Sequence, residues 1–351
     1  MTRDRGYNQL LRWGISRDSQ AAPHLVGMLV TAVVTVLTTR AILAVSDYPK
    51  VGGRTLHIAH VLWGGLLMVV ALMVLLSFVG PVVRPLAAVI AGVGFGLFID
   101  EVGKFVTNRS DYFFRPAPAI MYVVVVLLVL GTNAFHGRRD HHQAEYLAGA
   151  VDQAVAGVAG GFTVERRATA ERLLGRARDA VGTRETRALL DVIPEDPYEL
   201  ADPLRAMRKF KRRFFDRLLE RRVVRIVAVV VLVVETAYVV QGLGVGLYHR
   251  LLSGADADSP STLGLLLGTA AALASGTLVV VGLIRLTTDA SAAFGYFNHS
   301  LLVSLLITRV FQFEVQQFSA VAFVVIDLVL LAAVGGERLH LRRRLQWSKN
   351  A

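Results

Sequence analysis

Eight stretches of this chain are apolar over about twenty residues, the length an α-helix needs to cross a hydrocarbon core of ~30 Å. They lie at 24–45, 57–80, 84–103, 117–135, 223–248, 262–285, 290–313 and 319–336. Inside lipid a backbone must satisfy its own N–H and C=O groups, so such stretches are read as helices. The expected fold is all-α, a polytopic membrane protein of about eight transmembrane helices in a 4+4 arrangement. Residues 1–135 form an N-terminal membrane domain of four spans, 136–222 a central cytoplasmic helical segment, 223–336 a second four-span domain, and 337–351 a basic tail. A mean hydropathy of +0.51 agrees with this division. Residues 1–20 lack the apolar core of a cleavable signal, so the first span is expected to act as an uncleaved anchor.

Charge sets the expected orientation, because cytoplasmic loops carry the Lys/Arg excess. With the N-terminus inside, 30 of the 38 basic residues fall in inner segments and six in outer loops. Without the long segment 136–225 the balance is eleven against six, which points the same way. Both termini are therefore expected to be cytoplasmic, in a plasma membrane. The net charge of +11 follows from topology, and no nucleic-acid partner is expected. The preference for Arg over Lys, with abundant Ala and Val, associates with a bacterial source. The absence of cysteine excludes disulfides, thiolate metal sites and cysteine-ligated iron–sulfur clusters.

The central segment reads as helical. Tyr146, Leu147, Val151 and Val155 recur at helical spacing, and Gly160-Gly161 ends that run. Thr163 is expected to cap a helix over about 164–181, and Thr183 a third that stops before Pro194. A last helix starts near Pro203 and runs into the fifth span. Its Arg208, Lys209, Lys211, Arg212 and Arg213, interleaved with phenylalanines, suit anionic lipid headgroups. Positive-inside topology accounts for the same pattern.

Two constellations carry chemistry. In the first, His57 and His60 open the second stretch, and Asp100 with Glu101 close the third. A hairpin centred near residue 81 puts all four at one depth. Ala88, Gly92, Gly96 and Asp100 form a ridge of spacing four that lets a neighbouring helix approach, and the histidine-bearing face is its expected partner. Two imidazoles and a carboxylate suit Zn²⁺, Fe²⁺ or Mn²⁺, with His57, His60 and Asp100 as ligands and Glu101 as a general base. A metal-free hydrogen-bonded site fits the same residues, with Lys104 or Arg54 as ion-pair partners, and so does an incidental arrangement. Glu314 and Gln317 could join such a site, and Tyr112, Phe113 and Phe114 fit an aromatic belt or a gate.

The second constellation is a polar stripe, Ser300, Ser304, Thr308, Gln312 and Gln316, with Arg309 beside it and His299 near its start. Glu235 and Asp327 lie mid-span. Ionisable residues within a bilayer are costly and mark pathways or sites. The bland reading bonds each hydroxyl to the carbonyl one turn earlier, which leaves Arg309 and Gln312 unexplained. Gly264, Gly268, Ala272 and Gly276 form another close-packing ridge. No span shows a clear internal break.

Three functions are open. The leading one is a transporter or permeation protein for protons or a small cationic solute, through Glu235, His299, Ser304, Thr308, Arg309, Gln312 and Asp327. The second is an outer-leaflet metalloenzyme. The third is a scaffold whose central segment docks a cytosolic partner. A homo-oligomer is compatible with each.

Overall fold

The computed structural model describes residues 11–45, 60–103, 116–136, 141–196, 202–207, 222–253 and 260–334, with isolated positions 198, 200, 209 and 213. Among the described residues the secondary structure is helical, apart from one isolated bridge between Phe162 and Glu195. Seven segments are long and apolar enough to cross a membrane, which is consistent with an integral membrane protein. The chain packs as two units, Met1–Glu101 with Leu127–Met207, and Val102–Val126 with Arg208–Ala351. The central helices thus belong with the first spans.

In the first unit, α1 (Ala21–Val45), α2 (His60–Ser77) and α3 (Val83–Asp100) are membrane-length helices, and α4 (Ala117–His136) enters with its last turns. Glycines bring α3 into backbone contact with both neighbours. A Cβ on Gly92 would lie 2.5 Å from the Met28 carbonyl oxygen, and one on Gly96 2.6 Å from that of Ala32, both on α1. On the opposite side a Cβ on Gly94 would lie 2.7 Å from the Gly64 oxygen of α2. The ridge ending in Asp100 therefore faces α1, not the histidine-bearing helix expected to receive it. Glycines two residues apart point to nearly opposite sides, and α3 uses both sides because it lies between two helices.

Three shorter helices complete this unit: α5 (Gln143–Gly160), α6 (Val164–Arg176) and α7 (Thr183–Val192). Ala150, Ala154, Phe162, Leu173, Leu174 and Leu190 bury against one another between them. Thr163 caps α6 through the Arg166 N–H, as its position suggested, but the helix stops at Arg176, short of 181. The N-cap of α7 is Gly182, at φ +95°, and not Thr183. Gly161, at φ +86°, ends α5, where a side chain would be strained. Helical residues follow at 205–207, and nearly all of the stretch from there to α8 lies outside the described residues.

Ion pairs tie α5 to the ends of the spans. The Arg17 backbone N–H and guanidinium donate to the buried Glu145 carboxylate at 2.9–3.0 Å. Glu145 also accepts from the His142 N–H at 2.9 Å and so closes a capping box. Arg84, in the first turn of α3, reaches Asp152 at 2.8 Å and Asp18 at 3.0 Å.

The second unit contains α8 (Arg222–Ser253), α9 (Thr262–Arg285), α10 (Ala290–Val303) and α11 (Arg309–Gln316), with a π-helical turn, Ser304–Thr308, joining the last two. Residues 320–334 form a further helix, α12. Leu232, Val279, Phe294, Phe297, Leu301 and Leu330 form its core. Gly268 of the small-residue ridge packs under Phe311, where a Cβ would meet that side chain at 2.8 Å. Gly276 has looser surroundings, with Thr236 at 3.5 Å.

The stretch 290–334 doubles back on itself. A straight helix would separate residues 309 and 327 by about 27 Å, yet their side chains are 2.7 Å apart. The reversal falls at Gln317, whose φ is +51°, followed by a 3₁₀ turn over Gln317–Ser319. The seventh and eighth apolar stretches of the sequence are the two arms.

Candidate functional site

Arg309 is buried to 1% exposure in the second unit, and everything around it answers its charge. Its Nη2 donates to Glu235 Oε1 at 2.6 Å, and its Nε to Asp327 Oδ2 at 2.7 Å. Its Nη1 donates to Gln312 Oε1, and the Gln312 amide donates onward to Gln316 at 3.2 Å. Ser304 Oγ donates a second hydrogen bond to Asp327 Oδ2, at 2.8 Å. Phe323 covers the guanidinium with its ring centroid at 5.4 Å, and Tyr238 stacks on Phe323. Three helices meet here: α8 supplies Glu235, α11 supplies Arg309 and Gln312, and α12 supplies Asp327.

The π turn places these groups. The Arg309 N–H reaches back to the Ser304 carbonyl, five residues earlier, which shifts the helical phase by one residue. Tyr122 of α4 buttresses the turn, donating its phenol proton to the Leu305 carbonyl at 2.6 Å while its ring packs on Phe313. The sequence shows no break inside a span, and this turn is one. A π turn has no composition signature, so pattern reading misses it.

The polar stripe is resolved residue by residue. Ser300 is buried and pairs with Ser275 of α9, with hydroxyls 2.8 Å apart. Ser304, Arg309, Gln312 and Asp327 join the cluster. Thr308 is buried, and its hydroxyl has no partner among the described residues; the same holds for Glu235 Oε2. His299 is exposed and is not bonded to the cluster among the described residues. Ser300 and Ser304 bond across helices. By contrast, Thr31, Thr35 and Thr277 do bond the carbonyl one turn earlier. A stripe of polar residues therefore marks an interhelical seam only where a polar partner waits on the next helix.

The other constellation sits at the His60 end of α2 in the first unit. Asp100 and Glu101 are both 1% exposed. Arg40 of α1 holds Asp100, its Nε 2.6 Å from Oδ1 and its Nη2 2.9 Å from the backbone oxygen. Glu101 Oε1 accepts the His60 backbone N–H at 2.9 Å and lies 3.2 Å from His60 Nδ1. It thereby caps the first turn of α2 from another helix. His60 and Glu101 do meet, but the pairing is divided: Asp100 to α1, Glu101 to α2. An arginine near the end of a span can snorkel to the interface, but Arg40 turns to a buried acid.

His57, Arg54, Lys104, Tyr112, Phe113 and Phe114 lie outside the described residues, as do Arg208, Lys211 and Arg212 of the basic run. Lys209 and Arg213 are helical and exposed. Among the described residues no three His, Asp or Glu side chains gather as a metal centre. Glu314 is engaged elsewhere, accepting the Ser261 N–H at 3.0 Å at the start of α9.

No protein-family model, no curated protein and no solved structure matches this chain.

Proposed function

We propose that the second unit carries protons across a membrane, with the Arg309 cluster as its exchange site and Glu235 as the group that takes up and releases the proton. The observation that carries this reading is a charge count in a dry, mid-span position. One guanidinium, permanently protonated, faces two carboxylates, Glu235 and Asp327. A net charge buried at that depth is costly, so the cluster is neutral when one carboxyl holds a proton. Asp327 Oδ2 already accepts two hydrogen bonds, from Arg309 and Ser304. Glu235 Oε2 accepts none among the described residues, which makes Glu235 the natural holder.

Release converts Glu235 to a carboxylate against Arg309, and uptake restores the neutral cluster. The π turn supplies the irregular helix that ion-coupled carriers use at their sites. The metalloenzyme reading needs Asp100 as a ligand, and there the Arg40 guanidinium faces Oδ1, a cation where a metal would have to sit.

The test is proton flux in liposomes holding purified protein and a pH-sensitive dye. Wild type should dissipate an imposed pH gradient faster than empty vesicles, and Glu235→Gln should be at least about tenfold slower. If wild type matches empty vesicles, or if the variant matches wild type, proton carriage through this site is wrong. The first outcome, with the fold intact, favours a scaffold, and the second points to carriage by another path.

A further inference from the structure

We infer that α5 lies along the membrane surface, with Val151, Val155 and Val158 set into the boundary between lipid headgroups and acyl chains. Four observations in the first unit converge on this. First, the three valines follow at helical spacing and are exposed, Val158 to 66%, although the opposite face of α5 packs on α6 and α7. An apolar stripe left open beside a packed core requires a partner.

Second, α5 presents no unpaired charge. Its two charged residues are Glu145 and Asp152, held by Arg17 and Arg84. Its glutamines are also engaged, Gln143 with Asp179 and Gln153 with Arg166. A helix set into the boundary needs its charges neutralised in this way.

Third, those partners fix the height of α5. Arg17 precedes α1 by four residues, and Arg84 lies in the first turn of α3. Gly80, in the connection between α2 and α3, sits against Val155, where a Cβ would lie 3.4 Å from Cγ1. A connection between two membrane-length helices lies at a membrane surface, and contact with it places Val155 at that level.

Fourth, exposed aromatic residues mark the same level. Trp13 is 65% exposed just ahead of Arg17, Phe78 60% at the end of α2, and Phe135 71% at the end of α4. The Phe135 carbonyl accepts from the same Arg17 at 3.3 Å. Aromatic rings gather where membrane meets water. The occupant these features fit is the lipid surface itself, since a cytosolic protein docked on the valines would have to lie at headgroup depth.

The chain has no native cysteine, so single cysteines report without background. Val158→Cys and Val151→Cys, each carrying a polarity-sensitive fluorophore, would be compared with Glu171→Cys on the exposed side of α6, using full-length protein in phosphatidylcholine–phosphatidylglycerol vesicles. A nitroxide placed high on the acyl chain should quench both valine-site labels at least twofold, leave the Glu171 label unchanged, and act more strongly than a nitroxide near the chain end. Equal quenching at all three positions, or none at the two valine sites, would overturn the inference. The valine pair guards against one variant failing to fold.

Discussion

Replacing Arg309 with Met removes the cation and keeps much of the side-chain volume. The guanidinium donates two charge-assisted hydrogen bonds, to Glu235 and Asp327, and one to Gln312. Hydrogen bonds to charged groups contribute about 1.5–3 kcal/mol each, so losing the bonds to Glu235 and Asp327 costs roughly 3–6 kcal/mol if Asp327 stays ionised. Asp327 can instead bind a proton. For an ordinary carboxyl that costs about 4 kcal/mol at pH 7, a few units above its usual range. The two routes give similar totals, and breaking a buried pair costs about 3–5 kcal/mol in general. Arg309→Met is therefore expected to lose about 3–5 kcal/mol in an equilibrium unfolding assay in mixed detergent micelles.

The reasoning makes a sharper demand of the triple variant Arg309→Met/Glu235→Gln/Asp327→Leu. Removing all three groups together should recover most of the loss, since replacing a whole buried ion cluster is often close to neutral. Proton flux should remain lost. A cost below about 1 kcal/mol for the single variant would show that its surroundings are wet, like a surface ion pair. A triple variant no more stable than the single one would trace the loss to packing, not to uncompensated charge.

The glycine contacts make a paired prediction. Gly64→Ala should be severely destabilising, because its Cβ would lie 2.6 Å from the Gly94 carbonyl oxygen, whereas Gly65→Ala meets nothing within 4 Å and should be neutral or gain up to about 1 kcal/mol. Thermal unfolding of the two neighbours side by side checks this. At α5, Glu145→Ala should expose the first-turn amides to hydrogen exchange, because Glu145 is buried and bonds both Arg17 and the His142 N–H. Asp152→Ala should change exchange little, its ion pair with Arg84 being partly exposed. His141 lies between these elements, and burial, then the Arg17 charge, hold its imidazole below the usual histidine range. The unfolded chain then binds the proton more readily, so stability is lost as pH falls through about 6.5. Hydrogen exchange of α5 against pH should show that slope, and His141→Gln should flatten it.

Hydropathy alone located the long helices closely. The stretches 117–135 and 262–285 emerge as Ala117–His136 and Thr262–Arg285, because an uninterrupted apolar run of that length admits few alternatives. Glu235, Arg309 and Asp327 were legible for a related reason, since each is a charge in a run apolar enough to cross a membrane. Their mutual pairing was not. It depends on the fold-back at Gln317 and on the phase shift of the π turn, and neither leaves a periodic trace.

Helical phase also misassigned the partner of Asp100. The ridge through Gly92 and Gly96 is real, but small residues line both sides of α3, and spacing alone cannot say which neighbour takes which side. The pairing of Arg40 with Asp100 is not legible because an arginine near the end of a span has two outlets, water or a buried acid, that the sequence does not distinguish. Tyr122 was invisible for a similar reason, as a tyrosine in an apolar run signals nothing until the carbonyl it serves is known.

The central claim is that the Arg309 cluster holds one exchangeable proton on Glu235. Infrared difference spectra of the purified protein, taken between acidic and alkaline buffer, read the protonated carboxyl stretch directly. Neutralising either acid leaves one carboxylate against Arg309 and should remove the band, so the acids are exchanged in type: a carboxyl band that shifts in Glu235→Asp and is unmoved in Asp327→Glu is the expected result. A band that shifts in Asp327→Glu and is unmoved in Glu235→Asp would place the proton on the other acid, and no band in wild type would show both carboxylates ionised; either contradicts the account.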